Sequence, residues 1–335
     1  MAVVSDTSAN PVFDAAMAYQ RTAALVAAVK LDIFTAIGSG TTTSDDLASK
    51  IGASARGLRI LCDFLTVMEL LKKKDSNYRL THAARILLDG SSPFAMGSIV
   101  DFVAAPEMLA LFLEDPASYV QNGRSKGPSN VDPDHPVWVR YARAMVPFAA
   151  TTAKLVAGYV TAFPIPPKTV LDVAAGHGLY GIEVAKALPN AEVTAVDWEG
   201  VLAVARGHAE AAGVGHRFHT LAGNALNLEW GHFDLILLPN FLHHFDAETC
   251  TSLLRKVKSS LASGGGALAV DFVPNEDRIS PPVPAMFAFW MLASTPGGDA
   301  YTARELDEMA RNAGFRAATT RPLPPTPQNL IVFEN

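Results

Sequence analysis

The residues Val170–Gly181, VLDVAAGHGLYG, carry the strongest structural signal in the chain. An apolar run leads into G-x-G-x-x-G, formed by Gly176, Gly178 and Gly181. This spacing is typical of a strand–turn–helix unit that holds a nucleotide-bearing cofactor. Gly176 and Gly178 would let the backbone approach a ligand closely, and Gly181 would let the helix pack on the sheet. The glycines alone do not identify the cofactor.

Asp172 favours a cationic cofactor over a dinucleotide. It lies near the end of the predicted strand, four positions before Gly176, where it would face a pyrophosphate with like charge. S-adenosylmethionine has an α-ammonium, a sulfonium and no phosphate, so a carboxylate would attract it. The alternative is that Asp172 only caps a neighbouring loop amide. The alternative hypothesis, a nicotinamide-dependent oxidoreductase, is supported by the glycine spacing alone.

Asp197 ends the next predicted strand, AEVTAVD, 21 residues after Gly176. A carboxylate at this spacing can accept both ribose hydroxyls of a nucleoside. The neighbouring Trp198 could pack on the adenine. A solvated aspartate at a strand end is the alternative for Asp197.

The third predicted strand ends in LAGNAL, where Gly223, Asn224 and Ala225 form a turn. The carboxamide of Asn224 could bond the edge of the adenine. A plain turn asparagine, bonded to its own backbone, is the alternative.

The chain divides at a proline-rich stretch, FPIPPK, at residues 163–168. Beyond it, short apolar strands alternate with helices, which predicts a parallel sheet covered on both faces. The closing segment, FRAATTRPLPPTPQNLIVFEN, predicts an antiparallel strand pair at the edge of that sheet. Before the proline-rich stretch, the sequence predicts a helix–turn–helix in TTTSDDLASKIGASARGLRILCDFL, followed by a wing in KKKDSNYRL.

The predicted fold class is therefore α/β: a Rossmann-like domain preceded by a mostly helical, winged-helix-like domain. We assign residues 1–105 to the helical domain, 106–165 to a helical connector that contributes to a substrate pocket, and 166–335 to the Rossmann-like domain.

Composition narrows the class of protein. The chain has 335 residues, 49% of them hydrophobic, and a net charge of −6, so it can bury a large core and lacks the basic surface that nucleic acids require. Two distant cysteines indicate neither a disulfide framework nor a zinc site. No acidic metal-ligand cluster, signal peptide or uninterrupted apolar span is readable. We therefore expect a cytoplasmic protein without a bound metal or a membrane partner.

Five segments, VLDVAAGHG, AVDW, LAGNAL, LPNFLHHF and PGGDAYT, occur in this order. Together they resemble class I S-adenosylmethionine-dependent methyltransferases over most of the chain. More narrowly, they resemble the O-methyltransferase family that includes caffeate, acetylserotonin and bacterial antibiotic-tailoring enzymes. The resemblance implies S-adenosylmethionine as cofactor, with S-adenosylhomocysteine as product. It also implies a small-molecule acceptor and a homodimer formed through the N-terminal domain.

The resemblance implies catalytic roles for two residues. The family's catalytic histidine falls on His244 in LPNFLHHF, and an imidazole with a pKa of about 6.5 can accept a proton near neutral pH. Asp271, in DFVP, matches a carboxylate that orients this base. His243 would then point elsewhere.

Two positions depart from the family pattern. A second family carboxylate falls on Ala300, between Asp299 and Tyr301, so one orienting group is missing. A family lysine that helps to hold the adenine end falls on Asn240, which we expect to contact the cofactor without a charge.

The acceptor pocket is predicted from two helical segments. WVRYARAM offers Trp138, Tyr141 and Met145, and Met145 matches a family methionine near the transferred methyl. PAMFAFWMLAS offers an apolar stripe at helical spacing: Met286, Phe287, Trp290 and Met291. These side chains predict a flat aromatic or polyketide-like acceptor. Ordinary core packing is the alternative for the stripe.

Two rival functions remain at this point. The missing second carboxylate is compatible with carbon or nitrogen methylation, or with a non-methylating reaction on the same fold and cofactor. The helix–turn–helix segment could belong to a DNA-binding regulator. However, its second helix carries only Arg56 and Arg59, whereas phosphate binding needs several cations.

Overall fold

The computed structural model describes residues 11–125 and 136–335. The chain divides into two compact units, Met1–Ala105 and Pro106–Asn335. The first ten residues of the predicted helical domain and residues 126–135 of the predicted connector lie outside the described residues. The described helices of the predicted connector belong to the same compact unit as the sheet.

The first unit consists of short helices and one hairpin. Its elements are α1 (Pro11–Ala16), α2 (Ala18–Lys30), α3 (Ile33–Ile37), α4 (Ser44–Ile51), α5 (Ala55–Val67), β1 (Leu71–Lys74), β2 (Asn77–Leu80), α6 (His82–Leu87) and α7 (Val100–Val103). A capping box between Thr43 and Asp46 begins α4, and Gly52, with φ of +70°, ends it. Ser54 caps α5. The antiparallel pair β1–β2 follows as the wing, as predicted.

One of the two arginines of the second helix of the helix–turn–helix is paired with a carboxylate. Arg59 of α5 is 3.2 Å from the carboxylate of Asp63. The same carboxylate accepts hydrogen bonds from Lys73 at 2.5 Å and from Tyr78 at 2.7 Å. Leu58, Cys62 and Leu65 of α5 enter the core of this unit. This arrangement gives the regulator hypothesis no support.

The second unit is a sheet covered by helices. Its helices are α8 (Pro106–Leu113), α9 (Pro116–Asn122), α10 (Pro136–Ala144), α11 (Val146–Thr161), α12 (Leu179–Ala187), α13 (Glu199–Ala211), α14 (Ala247–Ser259), α15 (Pro282–Ser294) and α16 (Ala303–Asn312). Its strands are β3 (Thr169–Val173), β4 (Glu192–Asp197), β5 (Phe218–Ala222), β6 (Phe233–Pro239), β7 (Leu261–Asp271), β8 (Ala317–Pro322) and β9 (Asn329–Glu334).

The seven strands lie in the order β5-β4-β3-β6-β7-β9-β8. The first five are parallel, and β9 pairs antiparallel with both β7 and β8. The predicted parallel sheet and terminal antiparallel pair are therefore confirmed.

Alternate residues of the central strands enter two separate cores. Val170 and Leu235 pack on the face that carries α11, α12 and α13, whereas Leu171 and Ile236 pack on the face that carries α14 and α16. The strand order reverses between β3 and β6, and ligands bind at the carboxyl ends of strands on either side of such a reversal. The ends of β3, β4, β6 and β7 therefore define where the site lies.

Within residues 11–125 and 136–335, no helix combines the length and apolar character needed to cross a bilayer.

Candidate active site

The glycine loop between β3 and α12 has the backbone that its sequence predicts. Gly176 and Gly178 have φ of +57° and +76°, in the left-handed region that favours glycine. A Cβ on Gly181 would lie 2.7 Å from Val193 of β4, so this glycine lets α12 pack on the sheet. A Cβ on Gly178 would lie 2.9 Å from that of Ala205. The missing side chain of Gly178 thus makes room for α13, and the predicted approach of its backbone to a ligand stays a prediction.

Asp197, at the end of β4, faces the glycine loop. Its Oδ2 accepts a hydrogen bond from Gly176 N at 2.8 Å, and its Oδ1 accepts one from Trp198 N at 2.7 Å. Burial raises the pKa of this carboxyl to about 6. Each oxygen keeps a second lone pair, so the carboxylate can also accept hydroxyls. Trp198 is the residue that precedes α13 and is half-buried.

Asp172 is fully buried at the end of β3 and half-satisfied. Its Oδ2 accepts from Gly181 N at 2.9 Å, which is the loop-amide contact considered as the alternative. Its Oδ1 has no hydrogen-bond partner among the described residues. Burial raises the pKa of Asp172 to about 7. An orphaned carboxylate oxygen fits a ligand that brings a hydrogen-bond donor, above all a cationic one.

The loop after β5 is hydrogen-bonded to β4 and to α14. Asn224 Oδ1 accepts from Leu226 N at 2.9 Å, so this oxygen is engaged in the turn itself. Lys256 of α14 donates to the carbonyl oxygens of Ala225 and Leu226, at 2.8 Å and 3.0 Å. Gly223, with φ of +142°, donates its N–H to the carbonyl of the last residue of β4 at 3.0 Å. The predicted adenine loop is therefore fixed against β4 and α14.

Asn240, the first residue after β6, belongs to a buried polar chain. It has φ of +55°, and its Nδ2 lies 3.4 Å from the hydroxyl of Tyr180. Its Oδ1 accepts from Gln328, whose Oε1 accepts from Thr152 at 3.0 Å. Both polar atoms of the carboxamide thus make one bond within the protein, and the predicted cofactor contact stays a prediction.

A buried histidine–aspartate pair lies at the ends of β6 and β7. Asp271 Oδ1 accepts from His243 Nδ1 at 2.6 Å, and Asp271 Oδ2 accepts from the His243 backbone N–H at 3.3 Å. The prediction that Asp271 orients His244 is therefore wrong. Residues 242–244 form a 3₁₀ turn, in which neighbouring side chains diverge by about 120°. Of the neighbours His243 and His244, only one can therefore face the end of β7.

His244 points to a different neighbour. Its ring meets that of Trp138 edge to face, with centroids 6.0 Å apart. Burial, and then the proximity of His243, holds the pKa of His244 well below its usual value, so the ring is neutral at pH 7. Its Nδ1 is buried and has no partner among the described residues.

Tyr141 and Phe287 flank the histidine–aspartate pair. The ring of Phe287 is 4.8 Å from that of His243. Burial, and then the charges of Asp197 and Asp271, raises the pKa of Tyr141 to about 12. Tyr141 also lies against the glycine loop, since a Cβ on Gly176 would be 3.6 Å from its ring.

The remaining residues of the predicted acceptor pocket point in different directions. Trp290 packs on Phe112 of α8 at 5.0 Å between centroids, and Met291 is core. Met286 is 64% exposed, so the stripe predicted on α15 does not line one surface. Met145 is partly buried and begins α11.

Comparison with known proteins identifies the family. The O-methyltransferase domain matches residues 144–316, and the O-methyltransferase dimerisation domain matches residues 13–90. The chain belongs to the O-methyltransferase family. The predicted family is confirmed, and with it the methyltransferase class of the enzyme.

Individual relatives cover nearly the whole methyltransferase. A 3-hydroxy-5-methyl-1-naphthoate 3-O-methyltransferase from Streptomyces sahachiroi is 29% identical, over 92% of this chain and 89% of that protein. A crystal structure assigned as an O-methyltransferase from Nostoc punctiforme PCC 73102 is 45% identical, with a TM-score of 0.94 over 98% of this chain and all of that one. PigF, solved with S-adenosylhomocysteine, is 25% identical, with a TM-score of 0.81 over 97% of this chain and 98% of that one.

The two neighbours of Ala300 do not supply the second carboxylate. Ala300 is fully buried, and the Oδ2 of the adjacent Asp299 is 3.3 Å from Arg278. The hydroxyl of Tyr301 donates to the carbonyl oxygen of Phe245 at 2.5 Å. Neither neighbour of Ala300 takes over an orienting contact to the histidines.

His177, which we did not single out from the sequence, is a structural part of the glycine loop. Its Nδ1 accepts from Leu179 N at 3.2 Å, and its carbonyl oxygen is 2.9 Å from His208 Nδ1. Burial, and then the proximity of His208, lowers the pKa of His177 to about 3, so it stays neutral. The position of His177 between Gly176 and Gly178 was the sequence signal that could have identified it.

Among the described residues, no group of three or more His, Cys, Asp or Glu side chains is arranged to hold a metal ion.

Proposed function

We propose that this O-methyltransferase transfers a methyl group from S-adenosylmethionine to a hydroxyl of a small, flat aromatic or polyketide-like acceptor, with His243 as general base. The observation that carries the proposal is the 2.6 Å contact between His243 Nδ1 and Asp271 Oδ1 at the carboxyl edge of the sheet. It moves the proposed base from His244 to its neighbour.

The pair fixes how His243 handles a proton. With Nδ1–H donated to Asp271, the neutral imidazole keeps its free lone pair on Nε2. Nε2 takes the proton of the acceptor hydroxyl as the oxygen attacks the methyl carbon. Asp271 then stabilises the imidazolium that results, and it holds the ring in one tautomer throughout.

The strand ends offer a matching place for the cofactor. S-adenosylmethionine supplies an electrophilic methyl group on a sulfonium. The unpaired Oδ1 of Asp172 would receive its cationic amino group, and Asp197 would accept its ribose hydroxyls. The turn at residues 223–225, with Trp198 beside it, would hold the adenine.

An aromatic acceptor is supported by the rings beside the base. Phe287 stands against His243, and Tyr141 lies against the glycine loop. One relative acts on a hydroxynaphthoate, and another, TcmO of Streptomyces glaucescens, is an 8-O-methyl transferase of tetracenomycin polyketide synthesis. We also propose a homodimer through the dimerisation domain at residues 13–90.

His243→Ala tests the base. We expect turnover to fall by about 10²–10⁴-fold, the range for loss of a general base, while the dissociation constant of S-adenosylhomocysteine in calorimetry stays unchanged. His219→Ala is the control, since this histidine is exposed on β5 and paired with Glu192. If His243→Ala kept full turnover and His244→Ala lost it, the base role would return to His244.

A second candidate function follows from Ala300. With one orienting carboxylate absent, the same cofactor site could serve methylation of carbon or nitrogen, or a non-methylating reaction. Mass spectrometry of products formed with methyl-labelled cofactor separates the cases. A labelled methyl ether supports the first proposal, and label on carbon or nitrogen, or no label, contradicts it.

A further inference from the structure

Two polar atoms at one ring contact have no hydrogen-bond partner. The Nε1 of Trp138 and the Nδ1 of His244 are both shielded from solvent, and neither is bonded within the described residues. Their rings meet edge to face at 6.0 Å. A buried polar group without a partner destabilises the folded protein, so two such groups at one contact indicate a place that a ligand completes.

The chemistry of the two atoms defines what would complete it. An indole nitrogen is a donor only. His244 is neutral, and no bond fixes its tautomer at Nδ1, so Nδ1 can carry the hydrogen and donate. N–H donors on two rings in contact match a single oxygen atom with two lone pairs.

A buried carboxylate lies behind this contact, on the far side of His243. The ring of His244 is 4.4 Å from that of His243, which is bonded directly to Asp271. Burial, and then the charges of Asp197 and Asp271, raises the pKa of Tyr141, which lies three residues after Trp138 on α10. The oxygen that fits is therefore neutral, because a carboxylate on the ligand would meet like charge.

We propose that Trp138 and His244 bind a neutral carbonyl oxygen of the acceptor that is conjugated with its reacting hydroxyl. This inference rests on the proposed function. The edge contact between the two rings opens to admit the oxygen, which then satisfies both orphaned atoms. The acceptor class is accordingly the hydroxyaryl ketones and hydroxyquinones, and not simple phenols or hydroxyarene carboxylates.

The contact would also assist the reaction. Two hydrogen bonds polarise the carbonyl and withdraw electron density from the conjugated hydroxyl, which becomes more acidic. The hydroxyl proton passes to His243 Nε2, an O–CH₃ bond forms, and the S–CH₃ electron pair returns to sulfur. An acidified acceptor makes up for the orienting carboxylate that Ala300 lacks.

Three two-ring acceptors with the same reacting hydroxyl test the proposal. They are 1-hydroxy-2-acetonaphthone, 1-naphthol and 1-hydroxy-2-naphthoate, each assayed for kcat/KM with the full chain. We expect the ketone to exceed the other two, with the carboxylate slowest. Trp138→Phe should lower kcat/KM for the ketone about tenfold more than it lowers kcat/KM for 1-naphthol, as loss of one N–H to carbonyl bond predicts.

The ratio of ketone to naphthol within one variant is independent of how much protein is folded. Trp230→Phe is the matched control, because it removes another buried and unpartnered indole N–H, in the core packed against α14, and should keep the ratio. Equal rates for the ketone and naphthol, a ratio unaltered by Trp138→Phe, or a preference for the carboxylate would overturn the inference alone. Absence of a methyl ether from all three acceptors would contradict the proposed function as well.

Discussion

Asp172 places an ionisable carboxyl where no solvent reaches it, with one oxygen bonded to Gly181 N and the other unpaired. Burial raises its pKa to about 7 in the folded chain, whereas an unfolded aspartate titrates near 3.9. Between these values the folded state binds more protons at this group than the unfolded state. The contribution of Asp172 to the free energy of unfolding therefore falls as pH rises from about 4 to 7.

Asp172→Asn removes this titration. We expect the variant to gain stability relative to the wild type between pH 5 and pH 8, by about 1.4 kcal/mol for each unit of pKa shift titrated in that interval. Urea denaturation at the two pH values measures it. The same variant should bind S-adenosylmethionine at least about tenfold more weakly at pH 8, because the charge that attracts the cationic cofactor is gone. If the free energy of unfolding changed equally in the two proteins between pH 5 and pH 8, the raised pKa of Asp172 would be contradicted.

The position of each carboxylate was predictable from the sequence, but the direction of each histidine was not. Asp172, Asp197 and Asp271 follow apolar runs, and the ends of parallel strands meet at one edge. His243 and His244 are neighbours in a 3₁₀ turn, and only the three-dimensional path of that turn decides which ring meets Asp271. A single sequence holds no local signal for that choice.

At the scale of elements, α14 holds the loop that follows β5. Lys256 donates to two carbonyl oxygens of this loop, and its ammonium lies 4.3 Å from the ring centre of Trp230. The residues that it bonds are about thirty positions away along the chain. No motif links them, so this anchor could not be read from the sequence, although the turn itself could.

Lys256→Met keeps the aliphatic packing on Trp230 and removes both hydrogen bonds. We expect a weaker affinity for S-adenosylhomocysteine, by about three- to thirtyfold for two bonds to backbone carbonyls, with kcat at saturating cofactor nearly unchanged. Calorimetry and steady-state kinetics measure the two quantities. Lys258→Met is the matched control, since Lys258 also donates to a carbonyl, that of Gly314, and lies over a ring, that of Phe315, outside the proposed cofactor loop. Equal effects of the two substitutions would remove the special role of Lys256.

The helical type of α15 was predictable from the sequence, but the face that it buries was not. The apolar periodicity of α15 predicted one stripe, yet Met286 is exposed and Met291 is core. The helix is apolar almost all round, so spacing alone could not tell which side faces the site. Phe287 is fixed by tertiary packing, between the rings of Phe272 and His243.

At the scale of the whole molecule, each unit has a core of its own, and the first unit has exposed apolar side chains near its start. None of the six residues of α1 is buried. Phe13 is 63% exposed and Tyr19, at the start of α2, is 55% exposed. These residues fall within or beside the dimerisation domain match, and apolar area of this kind is stabilised when a second surface covers it.

The double substitution Phe13→Asp and Tyr19→Asp tests whether this surface joins two copies of the chain. Two charges buried in an apolar interface cost several kcal/mol, so we expect the wild-type dimer to become a monomer at micromolar concentration. Sedimentation velocity measures the change. Ile165→Asp, an 84% exposed apolar position in the second unit, should leave the dimer intact. A double variant that still sediments as a dimer would exclude α1 and the start of α2 from the interface, and a monomeric wild type would refute the homodimer altogether.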